Sequence, residues 1–338
     1  MADPDRFESW LFPTPRGLYC APGDFHVDPH LPVDRAVISH GHSDHARPGN
    51  RAVLATPETL AIMRLRLGAA AGETLQAAGY GEAVRIGETE VRLVPAGHVL
   101  GSAQVVIEWR GRRAVVSGDY KRAADPTCPG FELVEAGLFV TEATFALPVF
   151  RHGRPEDEIA RLLASLAAFP DRAHVVGVYG LGKCQRVIRL LRNAGFERPI
   201  HLNAGFSAMC TLYEEFGVPL GPLARVGDEG AGGLGGEIVL APSAGGSERW
   251  LQGLSDPLIA FASGWMRVRA RARQRGVELP LVISDHADWP ELVATIAETG
   301  AGEVWITHGR DDALAYQVTA MGRRARALAL VGREEEGE

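Results

Sequence analysis

Lysine is nearly absent from this 338-residue chain: Lys121 and Lys183 are the only lysines among 35 basic residues. A coding bias toward arginine explains most of that imbalance, and it leaves two positions worth locating. Cysteine is also scarce. Cys20, Cys128, Cys184 and Cys210 form no C-x-x-C pair, which excludes a disulfide scaffold and a zinc-thiolate knuckle and fits a reducing, cytoplasmic setting. No apolar run approaches the ~18 residues of a membrane span. The segment Met1 to Trp10 is acidic and polar where a secretory signal would be basic and then apolar. Positive charge is in deficit too: the formal net charge is -7, so no whole-molecule field draws the chain onto a polyanion or an anionic membrane. Any polyanion must be met by a local patch.

What is present suits a globular α/β protein. Hydrophobic residues make up 46% of the chain and charged residues 23%, enough for a sizeable core, and 40 glycines point to many tight turns between short elements. The first half reads as strands closed by Gly-rich turns. Ala36 to Ser39 is one strand, hairpins turn at Gly87 and Gly111, and Leu138 to Thr141 is a further apolar run. From about Pro155 the texture changes to strand-then-helix units. Strands are expected at His174 to Val178, Ile238 to Ala241, Leu258 to Ala262 and Leu281 to Ser284, with helical spacing in Ile159 to Phe169 and Val187 to Leu191. Val304 to Thr307 is a late strand. A closing helix is expected to place Leu314, Val318, Met321, Ala325 and Leu328 on one face. Glu229 to Glu237, with five glycines, reads as a loop, and the Glu-rich tail from Arg333 as frayed.

The strongest chemical signal is Ser39-His40-Gly41-His42-Ser43-Asp44-His45, at the end of an apolar strand. Four ligand-type side chains crowd into six residues. A tight loop can aim His40 and His42 at one cation and Asp44 and His45 at a second, and imidazoles with a carboxylate suit Zn²⁺ or Mn²⁺. Three isolated polar residues follow other strands: His98 in Pro95-Ala96-Gly97-His98, Asp119 in Ser117-Gly118-Asp119-Tyr120, and His308 in Thr307-His308-Gly309. Each alone reads equally well as a turn residue. Together with the first cluster they supply a third imidazole, a carboxylate able to bridge, and a last imidazole.

This pattern resembles the metallo-β-lactamase fold. The resemblance implies two divalent ions, Zn or Mn, with His40, His42, His98 and Asp119 on the first and Asp44, His45, Asp119 and His308 on the second. Asp28, in Val27-Asp28-Pro29-His30, resembles the family's early aspartate, which orients a ligand from behind; a turn before Pro29 is the alternative reading. Three further segments are similar to the motifs of the β-CASP nucleases: Thr141-Glu142-Ala143, Ser284-Asp285-His286-Ala287-Asp288 and Thr307-His308-Gly309. The resemblance implies an αββα sandwich over 1–150 and 276–338 with a doubly wound β-CASP domain inserted at 151–275. It assigns His286 as general acid, oriented by Glu142, with Asp119 in the catalytic set. Leu181-Gly182-Lys183-Cys184-Gln185-Arg186 and Gly264-Trp265-Met266-Arg267 look most like the bacterial DNA ligase-associated exonucleases. That likeness implies a nuclease for single-stranded or frayed DNA ends, linked to a DNA ligase and a helicase in repair. An RNA-processing nuclease is the first alternative. A small-molecule hydrolase on the same scaffold is another, although such enzymes lack the insertion and the Glu142 and His286 pair; a catalytically silent nucleic-acid-binding subunit is the last.

Two segments bear on substrate contact. Gly177 to Cys184 nearly matches the phosphate loop G-x-x-x-x-G-K-[ST], but Cys184 replaces the hydroxyl that would meet Mg²⁺. Nucleotide hydrolysis is disfavoured, while Lys183 and nearby backbone N–H groups are expected to face a nucleic-acid phosphate. Arg267, Arg269, Arg271, Arg273 and Arg275 occupy alternate positions. On a helix, Arg267, Arg271 and Arg275 would share one face, either a solvated surface or a groove for strand phosphates.

Overall fold

The structure is a computed structural model that describes residues 6–226, 233–242, 251–309 and 311–328, without the side chains of Gln252, His308 and Asp311. The Arg333 tail and the start of the glycine-rich stretch, residues 229–232, lie outside the described residues. The chain divides into two units, Met1–Arg151 with His286–Gly337, and His152–Asp285.

In the first unit, β1 (Leu11–Thr14), β2 (Gly17–Cys20), β3 (Phe25–Val27), β4 (Arg35–Val37), β5 (Ala52–Ala55) and β6 (Thr74–Ala77) form one mixed sheet in chain order. The next strands are β7 (Ala83–Ile86), β8 (Thr89–Pro95), β9 (Ala103–Trp109), β10 (Arg112–Val116) and β11 (Leu138–Ala143). They open a second mixed sheet, antiparallel as far as β10 and parallel from there. The hairpins at Gly87 and Gly111 are those the turn residues predict. Helix α1 (Pro57–Leu67) is not anticipated by apolar periodicity; it begins on Thr56, whose hydroxyl accepts the Thr59 N–H at 3.2 Å, with Pro57 in the first turn.

Alternation along these strands dictates the layers. Val105, Ile107, Ala114, Val116, Leu138 and Val140 point inward to meet Leu18, Val27, Val37 and Leu54 of the first sheet in one core. Their neighbours Val106, Val115 and Phe139 point outward onto Leu292, Ile296, Leu314 and Val318. On the far side, Ala36, Val53 and Ala55 pack on Leu60 and Met63 of α1. The unit is therefore layered helix, sheet, sheet, helix.

The second unit carries α2 (Pro155–Ala168), β12 (His174–Val178), α3 (Lys183–Asn193), β13 (Ile200–Leu202), α4 (Ser207–Glu215), β14 (Leu223–Arg225), β15 (Ile238–Pro242), β16 (Leu258–Ala262), α5 (Arg269–Gln274) and β17 (Leu279–Leu281). Its six strands are all parallel, in the order β14-β13-β15-β12-β16-β17. Every residue of β12 is buried, as a central parallel strand requires. Residues 276–285, expected with the outer unit, fall here instead because Leu279–Leu281 pairs with Ala260–Ala262. The expected strand Leu281 to Ser284 accordingly starts and stops earlier.

The chain then returns through α6 (Trp289–Glu298), β18 (Glu303–Gly309), α7 (Asp311–Ala320) and β19 (Arg324–Ala327), and both strands extend the second sheet in parallel. The single closing helix is a correction. It ends at Ala320, Gly322 takes φ 75°, and the chain re-enters the sheet as β19, so that Leu328 lies in the inter-sheet core while Leu314 and Val318 lie outside it. Among the described residues no helix is long and apolar enough to cross a membrane.

Candidate metal centre

The ligand-type residues gather where strands of the first unit end. Asp28, just past β3, adopts a left-handed backbone (φ 43°). Its Oδ1 accepts the Ser39 N–H at 2.7 Å, and its Oδ2 accepts the Ser39 hydroxyl at 2.6 Å and lies 2.8 Å from His45 Nδ1. One carboxylate thus anchors the loop leaving β4 and fixes the His45 ring, so that Nε2 faces Asp44 Oδ2 at 3.3 Å and Asp119 Oδ2 at 3.4 Å.

Two other loops complete the cluster, each through a left-handed glycine. Gly97 (φ 74°) precedes His98, and a Cβ there would sit 2.4 Å from the Lys121 carbonyl. Gly118 (φ 56°) precedes Asp119, and a Cβ there would sit 2.8 Å from the Ser39 side chain. Only glycine lets these backbones approach so closely. The Ser102 hydroxyl accepts the N–H groups of His98 and Val99, each at 3.1 Å, which closes the first of these turns.

The polar atoms converge as a metal's ligands do. His42 Nδ1 lies 3.1 Å from His40 Nε2 and 3.0 Å from His98 Nε2, and His40 Nε2 lies 3.4 Å from Asp119 Oδ2. Ligands about 2.0–2.1 Å from a tetrahedral ion stand roughly 3.3 Å apart, so these separations are of the size a shared ion imposes. His40, His42, His98 and Asp119 form one group within 4.8 Å of one another, and Asp44, His45 and Asp119 form a second. The donor set suits two divalent ions, with Asp119 common to both groups. His308 is the penultimate residue of β18, the strand between β11 and β19, and its side chain lies outside the described residues.

Burial and neighbouring charges set the protonation of this cluster. Burial, with the charge on His45, holds His40 well below the ordinary imidazole range, leaving it neutral as a ligand must be. Burial opposes charge on His45 as well, but Asp119 and Asp44 beside it raise it well above that range. Asp119, although buried, is held well below the usual carboxylate range by His45 and then His40.

Beside this cluster, the ladder between β11 and β18 is irregular at Glu142: Thr141 pairs with Ile306 but Ala143 with Gly309. Such a break re-aims a side chain at a sheet's end. Glu142 is buried; its Oε1 accepts the Tyr120 N–H at 2.7 Å and its Oε2 lies 2.9 Å from His286 Nδ1. The Tyr120 carbonyl in turn accepts the Ala287 N–H at 2.6 Å. Tyr120, the residue after Asp119, is thereby tied through its N–H to Glu142 and through its carbonyl to the residue after His286, a link through backbone atoms that side-chain identities do not reveal. The His286 ring lies 4.7 Å from that of His98.

The expected phosphate contacts fare differently. Lys183 is a correction: its side chain is 1% exposed and its Nζ is engaged by the Ile283 carbonyl at 2.7 Å and by Asp285 Oδ2 at 3.1 Å, so it faces no substrate. Lys121 is likewise buried against Asp125 Oδ2 at 2.6 Å. The arginine run is not one helical face. Gly264–Arg267 is a tight 3₁₀ turn, α5 spans only Arg269–Gln274, and Arg271 lies over the Trp265 ring at 3.7 Å. Arg267 is exposed. Among the described residues none of the five arginines is ion-paired.

No protein-family model matches the chain. It is 27% identical over 331 residues to a protein of Opitutus terrae named "Probable DNA ligase", covering 94% of this chain and 31% of that one. It is 28% identical over 149 residues to "Endoribonuclease ysh-1" of Neurospora crassa, covering 41% of this chain and 17% of that one. The chain is a distant homologue of both. It spans less than a third of either relative. A third match, 26% identical, is to an "Uncharacterized protein in lig 3'region" of Acidianus ambivalens, covering 41% of this chain and 97% of that one. Among solved structures, a protein of unknown function from Enterococcus faecalis superposes with a TM-score of 0.56 at 14% identity, over 90% of this chain and 80% of that one, a likeness of fold.

Proposed function

We propose that this chain is a two-metal-dependent nuclease of the β-CASP type that hydrolyses phosphodiester bonds at single-stranded or frayed DNA ends, acting as an exonuclease. One observation carries the reading: Glu142 Oε2 holds His286 Nδ1 at 2.9 Å on the flank of the His/Asp cluster. A sugar alkoxide is a poor leaving group and needs a proton as the P–O bond breaks. A buried imidazole held by a carboxylate can give one.

The His40, His42, His98 and Asp119 group and the Asp44, His45, Asp119 and His308 group would hold two divalent ions, zinc or manganese. Such a pair supplies activation of water and neutralisation of phosphate charge. The chain's own groups do the rest. Asp28 fixes the His45 ring, Glu142 keeps Nδ1 of His286 protonated and stabilises the imidazolium, and Nε2 delivers the proton to the departing oxygen. Arg267 and Arg271 bind strand phosphates.

The likeness to a protein named for DNA ligation supports DNA and a ligase-linked role; the proposal adds a helicase as a further partner. The endoribonuclease relatives favour a second reading, RNA cleavage. Matched DNA and RNA strands, labelled separately at each end and incubated with Mn²⁺ or with chelator, decide between them. The expected result is metal-dependent shortening of DNA from an end. Robust RNA cleavage with inert DNA overturns the substrate.

A further inference from the structure

Lys183 opens α3, and one turn on stands Arg186, whose side chain is 3% exposed. Arg186 Nη1 donates to Asp285 Oδ1 at 2.8 Å and also to the Ser284 carbonyl. Lys183 Nζ takes the Ile283 carbonyl and the other carboxylate oxygen. Three successive residues, Ile283, Ser284 and Asp285, each present an acceptor to the first turn of one helix. The strand β17 ends at Leu281, so these residues have no ladder to hold them. The clamp begins where the ladder stops.

Stability is a poor reason for such a cluster. Buried ion pairs recover little beyond their desolvation cost, and well-packed apolar groups often serve a fold as well. A cation at a helix N-terminus also opposes the helix dipole, while a carboxylate there is favoured. Asp285 is thus the hub on which the helix end, an ammonium and a guanidinium converge. What that convergence supplies is a single backbone position, and the next residue in the chain is His286.

We propose that Lys183 and Arg186, acting through Asp285, are positioning residues for His286: they fix the chain one peptide bond ahead of the imidazole. The lever is the covalent chain itself. The inference rests on the reading of His286 as proton donor, a role in which a displacement of about 1 Å can cost up to ~100-fold in rate.

The test compares two substrates on Mn²⁺-loaded protein, a single-stranded oligodeoxynucleotide and bis(p-nitrophenyl) phosphate, whose leaving group departs without a proton. His286→Ala is expected to lose at least ~100-fold on the oligonucleotide and far less on the activated diester. Asp285→Asn and Lys183→Met are expected to lose about tenfold in kcat on the oligonucleotide and less than about twofold on the activated diester, with metal content unchanged. Lys183→Arg, which keeps a cation and a donor, is expected to restore most of that loss. If Asp285→Asn fails to fold, the Lys183 pair of variants carries the same comparison. Asp285→Asn and Lys183→Met with both substrates in the wild-type ratio overturn the positioning role while leaving His286 as donor. Equal loss of both substrates in His286→Ala overturns the donor reading, and this proposal with it.

Discussion

Asp119 bears the densest electrostatic load in the site. Its Oδ2 faces ring nitrogens of His40, His45 and His98 at 3.4, 3.4 and 3.8 Å. Asp119→Ala is therefore expected to abolish cleavage and to empty both ion positions, read by elemental analysis against about two ions per chain in the parent protein. His286→Ala is expected to keep both ions. Because Asp119, Glu142 and His286 also lie within ligand distance of one another, an emptied site in His286→Ala would make His286 a ligand rather than a proton donor. The same residues set a pH dependence. In the metal-free protein His45 is raised above the ordinary imidazole range, so near neutrality it carries a proton that an incoming cation must displace, whereas His40, lowered, carries none. Metal affinity should then rise by roughly tenfold per pH unit between about pH 6.5 and 8, measured by competition with a chelating dye. A flat profile would contradict the charged His45.

At the scale of elements, the site is a set of loops leaving strand ends, and its precision depends on backbone as much as on ligands. A side chain at Gly97 would meet the Lys121 carbonyl at 2.4 Å and would demand a left-handed φ of 74°. Gly97→Ala is expected to cost about 1–3 kcal/mol by thermal unfolding, and to weaken metal binding because His98 is displaced with the turn. Wild-type zinc affinity in that variant would mean the turn does not set the ligand. The residues of the His/Asp cluster and both hairpins are legible in the sequence because alternation and glycine turns are local signals. Helix α1 is not, since its start rests on a cap at Thr56 rather than on apolar spacing. The run from Leu314 to Leu328 reads as helix because its apolar residues keep a helical interval, yet Gly322 breaks it and places Leu328 on the other side of the sheet from Leu314. Lys183 departs from its sequence pattern for a related reason. The loop that presents it looks like an anion cradle, but its carboxylate partner is Asp285, distant by 102 positions in sequence.

For the whole molecule, a net charge of -7 leaves no general attraction for a polyanion, so binding to a strand has to be local, with a salt response set by the few phosphates contacted. The two lysines do not add to that attraction, since each is buried against an aspartate. Several acids are likewise occupied, Asp44 and Asp119 among candidate ligands and Glu142 against His286. What remains for phosphates is arginine, and in the run from Arg267 to Arg275 four arginines are exposed while Arg271, half-buried, lies over the Trp265 ring. Each phosphate neutralised on a single strand contributes about -0.7 to the slope of log affinity against log salt. An Arg267→Ser/Arg271→Ser double variant, compared with the parent in an Asp119→Ala background so that the strand stays intact, should flatten that slope by roughly 1.4 between 50 and 200 mM salt. Fluorescence anisotropy of a labelled single-stranded oligodeoxynucleotide measures it. An unchanged slope would take these two arginines out of the interface, and an unchanged affinity would place the strand elsewhere on the molecule.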